Sequence, residues 1–184
     1  EYKEQAIKYI QELYEYNSSI NGVGGLDRYL EKYDEWLEKL EEDRNRPVSE
    51  EKVPAETLFL VRENDNKIIG TINIRLALNE KLRKLYGHIG YSIRPTERRK
   101  GYNKINLYLG LLESRKHGLR NVMLACDKEN LGSAKTMQHF DAKLEREFYN
   151  EEDNCFEQVY WIDVDFAIES KKNEFEKCLF KIKN

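Results

Sequence analysis

The chain has 184 residues, 40% apolar and 35% charged, with 31 basic and 34 acidic side chains and a net charge of −3. That length suits one domain with a real core, and the acidic balance argues against a general nucleic-acid binder, which is normally basic. No apolar run approaches the ~20 residues of a membrane span, no signal peptide is visible, and the cysteines (Cys126, Cys155, Cys178) lack ligand spacing, which points to reduced thiols in a cytoplasmic protein rather than zinc or disulfides.

The chain begins at Glu1 rather than Met, which is compatible with a preceding segment. Ala6, Ile10, Leu13 and Tyr14 predict a first helix over 2–16, broken by the turn formers of "NSSINGVGG" at 17–25. A second helix is expected from Leu26 to Glu42, with Leu26, Tyr29, Leu30, Tyr33, Leu37 and Leu40 as its apolar stripe. Residues 43–55 read as a loop. "ETLFLVREN" and "KIIGTINIRL" then predict a hairpin around "NDN". "NEKLRKLYG" reads as a short helix or loop, and "HIGYSIRP" as a third strand stopped by Pro95.

A helix over 101–118, a strand "NVMLACD" and a helix capped by Asn130 follow. "AKLEREFYN" and "CFEQVYWIDVD" predict a last hairpin around "EEDN". Together these make an α/β (α+β) domain over 1–165 around a mixed sheet. In the tail, 166–184, Ile168, Phe175, Leu179 and Ile182 recur at roughly helical spacing. It is expected to dock on the domain, to pair with another subunit as in a homodimer, or to fray.

The stretch "RPTERRKGYNK", 94–104, holds the main functional signal. A helix N-terminus offers unpaired N–H groups and partial positive charge, which attract an anion. Gly101 admits close backbone approach, and Arg98, Arg99, Lys100 and Lys104 add charge, with Arg94 at the strand's end. Neither the Walker pattern nor the dinucleotide fingerprint is present. On an acidic protein this local cluster favours a small anionic ligand, such as a pyrophosphate.

A strand ending Ile93-Arg94-Pro95, the turn Arg98-Arg99-Lys100-Gly101-Tyr102-Asn103, an apolar helix, a strand and Asn130-x-x-Ser133 together resemble the GNAT acetyltransferase superfamily. "NGVGGLDRY", "VPAETLFLVREND", "IIGTINIRLALNE", "CDKENLGSAKT" and "YWID" extend the resemblance to one bacterial branch of predicted GNAT acetyltransferases, over about 17–165. It implies a twisted mixed sheet flanked by helices and splayed between the third and fourth strands, where acetyl-CoA lies. The Ile93 backbone would then meet pantetheine, the turn from Arg98 to Lys104 (Tyr102 included) the pyrophosphate, and Asn130 and Ser133 the cofactor's far side. It further implies transfer of acetyl to an amine by direct attack in a ternary complex.

Two positions depart from the family pattern. Asn103 stands where Gly or Ala is usual. Met137 stands where the family's proton-donating tyrosine would be, and a thioether donates no proton. These favour, as the alternative, a CoA-binding module that has lost catalysis. For the base, His88 has a suitable pKa and opens the third strand; Tyr91 is a candidate acid. Arg75 could hold an acceptor carboxylate, His117 and His139 are placed to cap helix ends, and Asp127 is unassigned. Cys126 reads as a structural thiol. The acceptor, a small-molecule or peptide amine, is not identified by the sequence, and no nucleic-acid, membrane or metal site is expected.

Overall fold

The computed structural model describes residues 1–177 and 180–183. Seven strands form two sheets. β1 (Ala55–Arg62), β2 (Lys67–Arg75), β3 (Ile89–Ile93) and β7 (Phe180–Lys183) make one, in the order β3-β2-β1-β7. β4 (Asn121–Asp127), β5 (Lys143–Asn150) and β6 (Cys155–Asp163) make the other, in the order β4-β6-β5. Every ladder within them is antiparallel. The result is the expected α+β domain, a central sheet opened between its third and fourth strands with helices around it, but the mixed pairing expected of that sheet has no parallel ladder among the described residues.

Alternation along the strands decides what each face receives. Phe59, Val61 and Ile68 face α1 (Lys3–Glu15) and α2 (Tyr33–Asn45), where Ile10, Leu13 and Trp36 are fully buried. Leu60, Ile69 and Ile93 face α3 (Tyr102–Lys116) through Ile105 and Leu109. Neighbours Ile68 and Ile69 serve opposite faces by that alternation, and a bulge opposite Leu60/Val61 leaves Ile69 without a direct partner. Gly110 gives α3 its close seat, because a Cβ there would lie 2.2 Å from Ile72 Cδ1. The largest cluster joins α3 to β4, β6, α4 (Leu131–His139) and α5 (Val164–Phe175).

The second helix departs from expectation. Leu26–Arg28 form a single 3-10 turn behind Gly25, which has φ +80°. A turn over 29–32 then resets the helical phase, and α2 starts at Tyr33. Tyr33 and Trp36 carry its buried face, so Leu37, counted in the expected stripe, is 42% exposed. Residues 82–86 form one π-helical turn. The tail is helical only as far as Phe175: α5 buries Val164, Ala167, Ile168 and Phe175 on the domain, and β7 pairs with β1 over Phe59–Arg62. Leu179, counted in the tail's stripe, lies outside the described residues. No helix among these residues is long and apolar enough to cross a membrane.

Candidate active site

The two sheets meet at His88. Its N–H donates to the Met123 carbonyl (2.7 Å), and its Nδ1 accepts the Met123 N–H (2.9 Å), beside an isolated bridge between Gly87 and Leu124. Beyond this point no ladder joins β3 to β4 among the described residues. The strands part, and Tyr91 faces the gap from one side with Cys126 on the other. α3 and α4 close its back.

At the head of α3, Gly101 caps the helix with φ +83°, and a Cβ built there meets nothing within 4 Å. Arg99, two residues earlier, also takes a left-handed conformation, at φ +64°. The turn therefore holds an open space in front of first-turn N–H groups that have no carbonyl four residues behind them. Lys104 N–H alone closes back onto Gly101 O (3.0 Å). Asn103 Nδ2 donates to Thr136 Oγ1 (3.2 Å), while its Oδ1 is buried without a partner. A buried amide oxygen lacking a donor suits a ligand that brings one.

The basic residues of this stretch divide. Arg94 is 7% exposed and turns to the α1 face, where Nε donates to Ile68 O (2.9 Å) and Nη1 to Glu12 Oε2 (2.6 Å). The sequence put Arg94 with the cofactor; its guanidinium is spent holding α1 to the sheet. Lys100 pairs with buried Glu97 (2.8 Å), which Lys67 and Arg62 also contact. Burial raises the Glu97 carboxyl, and the three cations more than reverse this, to about 2. Arg98 Nε folds back on Ile93 O (3.1 Å), so that carbonyl already has one donor. Tyr102 OH accepts from Arg62 Nη1 (3.0 Å), behind the turn. Arg99 and Lys104 have no ion pair among the described residues.

On the other wall, Asn130 Oδ1 accepts the Ser133 N–H (3.1 Å), the cap expected of it. Ser133 Oγ lies 2.8 Å from Tyr91 OH, across the gap. Burial pushes the Tyr91 phenol well above its ordinary range, against smaller opposing bonds from Ser133 and Asn103. Tyr91, Ser133, Asn103 and Cys126 thus converge. Burial pushes the Cys126 thiol up to about 11, against a smaller opposing bond from Ser133, which holds it protonated at neutral pH. Met137 is fully buried in the core.

His88 does not suit the role of base. It is 7% exposed; burial, then Arg75 and Arg83, lower its pKa to about 4. Its Nδ1 lone pair is occupied by Met123, so the neutral ring carries its proton on Nε2. The sequence reading missed a better setting at Glu157, on β6 opposite Asp127 of β4. Glu157 is 8% exposed and has no ion pair among the described residues. One oxygen accepts from Asn150 Nδ2 (2.6 Å), and burial raises the carboxyl, helped by Asp153 and Asp127.

His117 and His139 cap no carbonyls through their side chains; they bond Glu56 (2.9 Å) and Glu174 (2.9 Å). Glu56, Glu113 and His117 have ligand-type atoms within 4.8 Å of one another. Arg44 Nε, 3.1 Å from Glu56, already supplies positive charge there, as in an ion-pair cluster.

The model of the acetyltransferase (GNAT) family matches residues 11–141. Three solved structures share the fold. A GNAT-family acetyltransferase from Bacillus anthracis has a TM-score of 0.51 and 18% identity over 59% of this chain, which spans 66% of that protein, just under two thirds. A spermidine/spermine N-acetyltransferase from Vibrio cholerae, in mutant forms, has a TM-score of 0.57 and 13% identity over 77% of this chain and 80% of that one. A ribosomal-protein-S5-alanine acetyltransferase from Vibrio fischeri has a TM-score of 0.51 and 20% identity over 78% and 74%. At such identities the likeness is one of fold. No curated protein matches the sequence.

Proposed function

The chain belongs to the acetyltransferase (GNAT) family, and from that premise we propose that it transfers acetyl from acetyl-CoA to an amine by direct attack in a ternary complex. The observation that carries this reading is the glycine-capped head of α3. It opens beside the parted strands, and beyond its own chain neighbours nothing lies within 4 Å of the space a Cβ would take. The main-chain N–H groups from Gly101 to Asn103, with Arg99 and Lys104 at the rim, would hold the pyrophosphate. The β3 backbone up to Ile93 would align the pantetheine. Asn130 orders the first turn of α4, and Ser133 faces the gap from it.

Acetyl-CoA supplies the thioester carbon and departs as the thiol. Tyr91, hydrogen-bonded to Ser133 and keeping its proton far above neutral pH, is the acid for the leaving sulfur. It stands in for the tyrosine that Met137 replaces. The attacking amine has to be neutral. Glu157, buried without a cation, is the carboxylate whose setting suits that deprotonation. Cys126 is held as a thiol, which fits direct attack rather than an acyl-enzyme.

The test is release of free thiol from acetyl-CoA, followed across an amine panel. Amine-dependent release that disappears in Gly101→Trp supports the proposal. The second reading, a binding module without catalysis, is favoured by the burial of Met137. One-site coenzyme A binding without release for any amine would support it instead.

A further inference from the structure

On the face of the first sheet away from α3, a cleft of about 670 Å³ runs between the 24–29 segment, α2, the strand ends and the 82–86 turn. That size suits a small molecule. Arg75, at the end of β2, lies at its inner wall. Its Nη1 donates to Gly87 O (3.0 Å), and its Nη2 comes within 4.0 Å of where a Cβ would stand on Gly90 of β3. Gly90 adjoins Tyr91 in β3, so Arg75 at the cleft's wall lies one strand residue from the acetyl-transfer site, on the opposite face of the sheet.

The charge of this cleft is unusual for an acidic protein. Six cationic side chains line it, against two carboxylates. Asp43 is shared by Lys39 and Arg46. Arg28, Lys52 and Arg75 have no ion pair among the described residues. For Arg75 this is costly. The buried arginine Arg94 has Glu12, whereas the partly buried Arg75 meets the Gly87 carbonyl, with the Tyr86 phenol and the His88 ring nearby, and burial lowers its pKa. A partly buried guanidinium without an anion suits one, and its planar fork matches a carboxylate best.

We infer that the acceptor is a small amine that also carries a carboxylate, an amino-acid-like substrate anchored by Arg75 through that carboxylate. This inference rests on the acetyl-transfer reading above. A polyamine, cationic along its length, meets the wrong field here, although the fold is shared with a spermidine/spermine enzyme. The carboxylate end would lie against Arg75, with Arg28 and Lys52 at the entrance. The amine end would point past Gly90 towards the parted strands. Neutralising Arg75 would repay the desolvation that the free protein bears.

The experiment compares amino acids with their own carboxamides, and with spermidine, as acceptors in the thiol-release assay. Calorimetry with acetyl-CoA comes first. The expected result is acetyl-CoA binding and kcat/KM at least tenfold higher for one or more free amino acids than for the matching carboxamides. In Arg75→Gln this preference falls towards unity, while acetyl-CoA affinity stays within about twofold. Equal use of carboxamides, better use of spermidine, or an unchanged preference in Arg75→Gln would overturn the inference and leave the acetyl-transfer reading intact. No acetyl-CoA binding, or no release with any amine, would instead remove that reading and this inference with it.

Discussion

His88 Nδ1 accepts the Met123 N–H at 2.9 Å, and this side-chain bond, with His88 N–H to Met123 O, fastens the two sheets where they meet. The contact fixes where β3 and β4 separate, and so where a cofactor can enter. His88→Ala removes the acceptor and leaves a buried N–H unpaired, which costs about 1–3 kcal/mol before any cavity is counted. His88→Asn, whose Oδ1 can replace Nδ1, should recover much of that loss. Urea denaturation of the three proteins checks the order.

The same residue sets an acid limit. The folded pKa is about 4 against an ordinary 6.5, so the unfolded chain takes up the proton first. Stability is therefore complete above about pH 6.5 and falls as pH drops towards 4, by roughly 3 kcal/mol from this group. In His88→Asn the slope of stability between pH 6.5 and 4.5 should flatten. An unchanged slope would mean that another group governs that window.

Arg94 and Glu12 should behave as a structural pair. Burial raises the Glu12 carboxyl, and the bonds from Thr96 and Arg94 bring it below its usual range. Arg94→Ala leaves Glu12 without its cation, at about 3–5 kcal/mol, and frees the Ile68 carbonyl as well. Thermal unfolding should show a large loss. Acetyl-CoA affinity of the folded protein, measured at low temperature, should change less than threefold, because Arg94 faces away from the turn.

Much of the fold was legible. Period-two runs at 55–76 and 143–163 and the apolar helix after Gly101 needed no tertiary information. The phase of α2 was not legible, because Leu30, Leu37 and Leu40 complete a stripe that only the turn at 29–32 breaks. At the site, the turn could be read from Gly101 and its charges. How those charges are spent could not. Arg94 meets Glu12 and Lys100 meets Glu97, pairings made by packing across 82 residues in one case and by a 3-10 turn in the other. His88 looked like a base by type; only the Met123 contact shows its lone pair in use.

Tyr91→Phe and Glu157→Gln should separate acid from base. Tyr91→Phe keeps the ring in the core and loses the hydroxyl, so kcat should fall about 10²-fold with KM little changed. The drop should shrink for a thioester whose leaving thiol is more acidic. Glu157→Gln should lower the rate most at neutral pH and recover as pH approaches that of the free amine. A flat pH dependence of the Glu157→Gln deficit would remove it as the base.

Gly101 tests the phosphate turn itself. Gly101→Ala meets no clash in the free protein and should cost only the left-handed conformation, about 1 kcal/mol. Gly101→Trp should fold and fill the space in front of α3. Circular dichroism and thermal unfolding would show native structure in both.

The most direct test is calorimetric titration of acetyl-CoA and coenzyme A into the wild-type protein and into folded Gly101→Trp. The account predicts one site for both ligands in the wild type and none in the variant. Equal binding in Gly101→Trp, or none in the wild type, would contradict the assignment of the α3 turn as the pyrophosphate site.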